Sequence, residues 1–344
     1  MSAVGRSVAV PERIAVIGAG SWGLAIARLL DANGHVVTLW TYDPREFESL
    51  NQYREIPDRL PGIRLAQTVA ITVSLTDAVR AADLVVLAVP AQYLRSVLRQ
   101  LGRRLQSGSG VVNLAKGIET GSLKRMSEVI IEEAGVSLRF VSTLSGPSHA
   151  EEVAIDMPTT VVVAGDDPAQ IVHVQEIFSG PKFRVYTSAD LVGVELGGAL
   201  KNVIALAAGI TDGLGLGDNT KGALITRGLA EMTRLGVALG ARAETFAGLS
   251  GLGDLVATCT SRHSRNRYVG EQIGRGKKLH EILLSMSMIA EGIETTRSAH
   301  DLAKRSGVDV PITSEVYRVL FENKPPTEAI GHLMGRSLKA EVWS

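Results

Sequence analysis

One cysteine in 344 residues, Cys259, excludes an internal disulfide and fits a reducing compartment. Its expected role is packing, not nucleophilic chemistry. Net charge is absent too: 36 Lys plus Arg balance 36 Asp plus Glu. That balance argues against a broad nucleic-acid surface while leaving room for one basic pocket around a small phosphate. No apolar run is clean enough for a membrane span, since the longest, Leu191 to Leu216, is interrupted by Glu195, Lys201 and Asp212. The polar start, Met1 to Glu12, lacks the apolar core of a signal peptide and suits a loose extension. Solenoid repeats, low-complexity tracts and clusters with metal-ligand spacing are missing, so no metal is expected. What remains is 45% hydrophobic and 21% charged, ordinary for a globular chain, with length for about two domains. A cytoplasmic, soluble protein is the expectation.

From residue 13 to about 190, short β-branched runs alternate with amphipathic segments, the pattern of parallel strands joined by helical crossovers. Expected strands include Arg13–Ile17, His35–Trp40, Leu84–Val89, Phe140–Leu144 and Thr159–Ala164. Beyond residue 190 the strand-like runs vanish and long helical stretches take over. The fold class is therefore α/β: a doubly wound sheet domain over residues 1–190, then an all-helical domain over 191–344.

Gly18-Ala19-Gly20-Ser21-Trp22-Gly23 lies between the first strand and a helix, the context in which G-x-G-x-x-G binds a dinucleotide. The first glycine allows the turn, the second lets a pyrophosphate near the backbone, and the third packs helix on strand. Amides of Ser21 and Trp22 at the helix start face the same phosphates. The domain is thus Rossmann-type, with NAD(P)H or NAD(P)+ as the expected cofactor. Asp43 lies about 20 residues on, where an acid grips the ribose of NAD. Asp43-Pro44 is equally a helix cap followed by proline, and Arg45 suits the 2′-phosphate of NADP, so the sequence leaves the choice open.

The helical domain opens with Glu195-Leu196-Gly197-Gly198-Ala199-Leu200-Lys201-Asn202, apolar or small on nearly every side. Lys201 must either snorkel to water or face a polar cavity, where desolvation tunes it toward proton transfer. Four more patches set polar groups in apolar company. Ala115-Lys116-Gly117 and Ser145-Gly146-Pro147-Ser148-His149-Ala150 follow strands, whose C-terminal ends face the ligand crevice in such sheets. Asp254 starts an apolar helix, either as its cap or as a partner for Lys201, with Thr258 one turn on along the same face. Ser264-Arg265-Asn266-Arg267 is either a solvated basic turn or a phosphate grip.

Those motifs, with Thr226-Arg227-Gly228-Leu229-Ala230-Glu231-Met232, run in family order from Ile14 to about Phe321. The chain resembles the bacterial-type NAD(P)-dependent glycerol-3-phosphate dehydrogenases. The resemblance implies that Lys201 is the general acid/base, with Lys116 and Asp254 in the same polar cluster. It implies cofactor contacts from Gly18, Gly20, Ser21, Trp22, Gly23, Tyr42, Lys116, Ala150, Arg265, Ile289 and Glu291. Substrate contacts would come from Lys116, Gly146, Ser148, Lys201, Asn202, Asp254, Thr258, Ser264, Arg265 and Asn266. Dihydroxyacetone phosphate and sn-glycerol 3-phosphate are the implied substrates, in phospholipid precursor supply, with a homodimer compatible. Tyr42 departs from the histidine some relatives carry. The competing readings are another two-domain hydroxyacid or ketopantoate-type reductase, and a non-catalytic sensor of nicotinamide redox state.

Overall fold

The structure, a computed structural model, describes residues 10–105, 108–286, 288–338 and 340–341. Of the N-terminal extension expected over residues 1–12, residues 1–9 lie outside the described residues. Eight strands form one sheet: β1 Arg13–Ile17, β2 Val36–Trp40, β3 Ala70–Thr72, β4 Leu84–Leu87, β5 Gly110–Asn113, β6 Val141–Ser145, β7 Thr159–Gly165 and β8 Phe183–Ser188. Their order is β3-β2-β1-β4-β5-β6-β7-β8. The chain winds outward from β1 to β3, then returns to lay β4 on the other side of β1. The crevice between β1 and β4 is therefore the topological switch point, where ligands of such sheets sit.

Register brings the strand ends out together: Ile17 pairs with Trp40 on one side and Leu87 on the other. The strands read as apolar runs because both faces are covered. Along β1, Ile14 and Val16 join one buried cluster while Ala15 and Ile17 join another across the sheet. The helices that cover it are α1 Ser21–Ala32, α2 Pro44–Tyr53, α3 Leu75–Val79, α4 Ala91–Leu101, α5 Met126–Ala134, α6 Ala150–Val153 and α7 Pro168–Phe178.

One pairing departs from the expected parallel pattern, and it reverses the last two strands together. β7 runs antiparallel to β6, with Ser145 opposite Val162. The reason is the connection: residues 146–158 hold only the four-residue α6, too little helix to recross the face of the sheet. The chain instead turns at the C-terminal edge of β6 and comes straight back.

The remaining helices are α8 Leu191–Gly213, α9 Gly217–Ala238, α10 Ala243–Phe246, α11 Asp254–Thr260, α12 Arg265–Gly274, α13 Leu279–Leu284, α14 Gly292–Ser306, α15 Pro311–Phe321 and α16 Pro326–Met334. They wrap α8, which is long and apolar enough to cross a membrane, yet has 94% of its most apolar window buried by the fold. Close packing depends on absent side chains. A Cβ on Gly209 would stand 2.0 Å from the Arg267 carbonyl of α12, and one on Gly270 would stand 2.0 Å from the Leu206 carbonyl of α8. The two backbones touch, and that fixes where the start of α12 lies.

Candidate active site

A cleft of roughly 510 Å³ opens along the C-terminal edge of the sheet, with α8, α11 and α12 as its far wall. On the sheet side it begins at the glycine loop. Gly18 adopts φ +117° and a Cβ there would meet the Ala88 carbonyl at 2.8 Å, so the turn admits no side chain. At Gly20 the corresponding space is open, and no side chain caps the first turn of α1. Bare amides at a helix N-terminus beside an open backbone form a cradle for the pyrophosphate of a dinucleotide. Gly23 lies behind that cradle, its Cα packed against the Gly18 carbonyl.

At the end of β2 the two readings of Asp43 separate. Its carboxylate accepts from the Arg45 N–H at 2.9 Å and pairs with the Arg45 guanidinium at 2.8 Å, so it caps α2. Tyr42 and Glu46 face the cleft instead, and Glu46 is held by Thr41 Oγ1 at 2.6 Å and Arg59 Nε at 3.0 Å.

Across the cleft lies the polar cluster. Lys201 Nζ donates to Asp254 Oδ1 at 2.5 Å and Thr258 Oγ1 at 2.6 Å, and the residue is only 5% exposed. Lys116 Nζ donates to Asp254 Oδ2 at 2.7 Å and the Gly146 carbonyl at 3.0 Å. One buried carboxylate thus bridges two ammonium groups from opposite domains. Burial pushes the Lys201 ammonium down to about 8, against the support of Asp254 and with repulsion from Lys116. For Asp254 burial alone would raise the carboxyl, but the two lysines outweigh it and hold it below the usual carboxylate range.

Asp254 does not cap its helix. A π-helical turn, Leu249–Gly253, runs directly into α11, so Gly253 is already helical and the Asp254 side chain is free to turn to the lysines. Cys259, on the same helix, is fully buried and its thiol is pushed up to about 12 by that burial, which agrees with a packing role.

The third wall is the start of α12. Ser264 caps it, accepting from the Arg267 N–H at 3.2 Å, and Arg265 stands exposed at the first helical position. A ten-residue helix directs its positive end into the cleft there, next to a guanidinium. Asn266 donates to Asn202 Oδ1 at 2.9 Å and accepts from the Gly292 N–H at 2.9 Å, while Asn202 donates to the Lys116 carbonyl at 3.4 Å. These amides stitch α8, α12, α14 and the Lys116 turn into one wall.

Both halves of this arrangement match known sequences. A family model described as the NAD-dependent glycerol-3-phosphate dehydrogenase N-terminus covers residues 13–171, and the matching C-terminus model covers residues 190–331. The chain belongs to that family. It is 54% identical over 333 residues to a glycerol-3-phosphate dehydrogenase (NAD(P)+) of Geobacter sulfurreducens, covering 96% of this chain and 99% of that protein. Its likeness to one from Chlorobium limicola is 51% over 331 residues, again 96% and 99% of the two chains. The crystal structure of glycerol-3-phosphate dehydrogenase from Coxiella burnetii superposes with a TM-score of 0.91 at 36% identity, covering 95% of this chain and 99% of that one.

Most residues expected of a glycerol-3-phosphate dehydrogenase site line the cleft: Gly18, Gly20, Ser21, Trp22 and Tyr42 at one end, Ser148 and Ala150 along the sheet edge. Lys116, Lys201, Asn202, Thr258 and the 264–266 turn face them, with Ile289 and Glu291 also lining the cleft. Gly23, Gly146 and Asp254 stand one layer behind the wall. The Ser21 hydroxyl is engaged with the Arg59 carbonyl at 2.6 Å, leaving its amide for a ligand. Glu291 accepts from the Ala91 N–H at 3.0 Å, tying the start of α14 to that of α4. His149 lines the cleft, its pKa lowered by burial and by Lys201. Sequence reasoning missed Ala88, Val89 and Pro90 after β4, together with Tyr93, Glu46 and Arg59. The strand-end rule would have found the first three; the rest reach the cleft only through the fold.

Proposed function

We propose that the protein interconverts dihydroxyacetone phosphate and sn-glycerol 3-phosphate with NAD(P)H or NAD(P)+, as a cytoplasmic enzyme supplying the phospholipid precursor. One observation carries the reading: a buried ammonium tuned to about 8, anchored by Asp254 and Thr258, faces the cleft whose other end is a dinucleotide cradle.

A proton donor with a pKa near ambient pH suits general acid–base work. Lys201 gives its proton to the C2 oxygen during reduction and takes one from the C2 hydroxyl during oxidation. Thr258 and Asp254 aim the amine, and Lys116 adds positive potential where alkoxide charge develops. Arg265 and the amide-bearing start of α12 hold the substrate phosphate, placing C2 between the lysines and the sheet edge. The glycine loop and the first turn of α1 would hold the pyrophosphate, with Tyr42 at the same end of the cleft to meet the adenosine. When bound, the nicotinamide supplies or accepts the hydride.

The test is to follow NADH and NADPH absorbance with dihydroxyacetone phosphate, then repeat it with Lys201→Ala. Oxidation of either cofactor that Lys201→Ala abolishes without weakening cofactor binding is the expected result. Reaction of unphosphorylated dihydroxyacetone at an equal rate would remove Arg265 and α12 from the assignment.

A further inference from the structure

Glu195 is the one charged residue at the start of α8, and the reaction outlined above makes no use of it. It is 6% exposed. Its carboxylate accepts from Ser127 N–H at 2.8 Å, Ser127 Oγ at 2.6 Å and Arg125 Nη1 at 2.7 Å, all at the N-terminus of α5 in the sheet domain. A fourth donor, Thr143 Oγ1 of β6, lies at 3.5 Å. That hydroxyl also accepts from Asn113 Nδ2 at 3.4 Å, and a threonine hydroxyl can do both at once. Asn113, fully buried, closes its amide on the next turn, accepting from Ala115 N–H at 3.0 Å and donating to the Ala115 carbonyl at 3.1 Å. The residue that follows is Lys116. An unbroken buried polar path therefore joins α8 to the backbone that carries the second lysine.

The same helix carries the first lysine. Lys201 lies six positions beyond Glu195, about 9 Å of rise and a rotation of about 240°, so the helix is gripped on one face and presents the amine from another. Between them lies Gly198, where a Cβ would stand 2.6 Å from Ser145 Oγ and 3.6 Å from the Lys116 stem. At this crossing the domains meet without side chains to cushion an error. Gluing two domains with a buried carboxylate is poor economy in stability terms, because desolvation offsets the attraction. A directional four-donor clamp does something apolar packing does not: it fixes angle and register.

We propose that Glu195 is a positioning residue for proton transfer, holding α8 against the sheet domain so that Lys201 and Lys116 meet Asp254 in one geometry. This rests on the dehydrogenase reading of Lys201. Burial pushes the Glu195 carboxyl up while Arg125 and Ser127 pull it down, and Glu195→Gln keeps the size but takes an acceptor oxygen out of the clamp. Expected is a kcat fall of about 10- to 100-fold, the scale of a roughly 1 Å misplacement, with the Kd for NADH moving less than about twofold. In a Lys201→Ala background, the same substitution should lower the residual single-turnover rate by clearly less than it lowers kcat in the wild type, because only the part of its effect carried by Lys116 remains. A kcat within about twofold of wild type, or a loss that persists undiminished without Lys201, overturns the proposal. Should Glu195→Gln fail to fold, Thr143→Val cuts only the branch to Asn113; a kcat loss of at least about threefold is expected, and an unchanged kcat overturns the proposal. Normal turnover by Lys201→Ala removes the proton-transfer reading and this proposal together. Normal turnover by Glu195→Gln beside a crippled Lys201→Ala removes this proposal alone.

Discussion

Replacing Asp254 with asparagine keeps the shape of the site and removes the charge that bridges its two lysines. The lysine nitrogens sit 2.5 and 2.7 Å from its carboxylate oxygens, in a place where water screens little. Burial already holds the Lys201 ammonium at about 8, and Asp254 is the principal group opposing that burial. An opposite charge at such range holds a partner's pKa by about 1–3 units, so without it Lys201 falls into the range of about 5–7. At pH 7.5 a drop from about 8 to about 6 takes the protonated fraction from roughly three-quarters to roughly 3%. The assay is the pH dependence of kcat/KM for ketone reduction, which declines as the acid loses its proton. In the wild type the decline is centred near pH 8; in Asp254→Asn it moves down by about 1–3 units. Loss of the carboxylate that both lysines share should also lower stability by about 3–5 kcal/mol in a denaturant titration. A decline that stays near pH 8 in the variant would refute the reasoning, since the titrating group would then not be a lysine that Asp254 holds.

Three further outcomes follow from other parts of the molecule. Between pH about 8 and 10.5 the folded chain has released the Lys201 proton that the unfolded chain keeps, so folding stability rises with pH across that window, by up to about 3 kcal/mol. Lys201→Met should flatten that rise in melts taken at successive pH values; an identical slope in both proteins would contradict the burial of the amine. Gly209→Ala puts a methyl 2.0 Å from the Arg267 carbonyl and 2.7 Å from the Glu271 N–H, forcing α12 outward. A loss of about 1–3 kcal/mol and a raised KM for dihydroxyacetone phosphate are expected, and a KM unaffected by a destabilising shift would detach the start of α12 from phosphate binding. Glu231, far from the cleft, accepts from Ile312 N–H, Thr313 N–H and Thr313 Oγ1 at 2.6–2.8 Å and so caps α15. Glu231→Ala should lower stability by about 2–4 kcal/mol with kcat/KM unchanged, as activity and unfolding measured side by side will show.

How far the sequence could be read depended on whether the deciding contact was local. The strands of the sheet were legible because burial on both faces writes itself as β-branched runs, and β1 falls where the sequence put it, at Arg13–Ile17. The direction of β7 was not, since Thr159–Gly165 carries the same apolar run whichever way it points; the short helix before it decides. Asp254 sat at a helix start under both of its readings. Only backbone geometry separates them: a cap needs an extended conformation, and Asp254 has φ −72° and ψ −31° because the π-helical turn has already committed the chain. Asp43, with φ −92° and ψ 117°, went the other way for the same reason. Lys201 was ambiguous because a lysine stem is long enough to find water on most helices, and α8 is one whose burial leaves the amine only the polar cleft. Glu195 is the extreme case. In the sequence it does no more than interrupt an apolar run, an argument against a membrane span. Its four donors come from residues about 50 to 70 positions away, on α5 and β6, and no periodicity along α8 encodes them. What local chemistry announces is which side chains are expensive to bury; where each finds its partner is a property of the crossing between two domains, and in this protein the reacting lysines lie at that crossing.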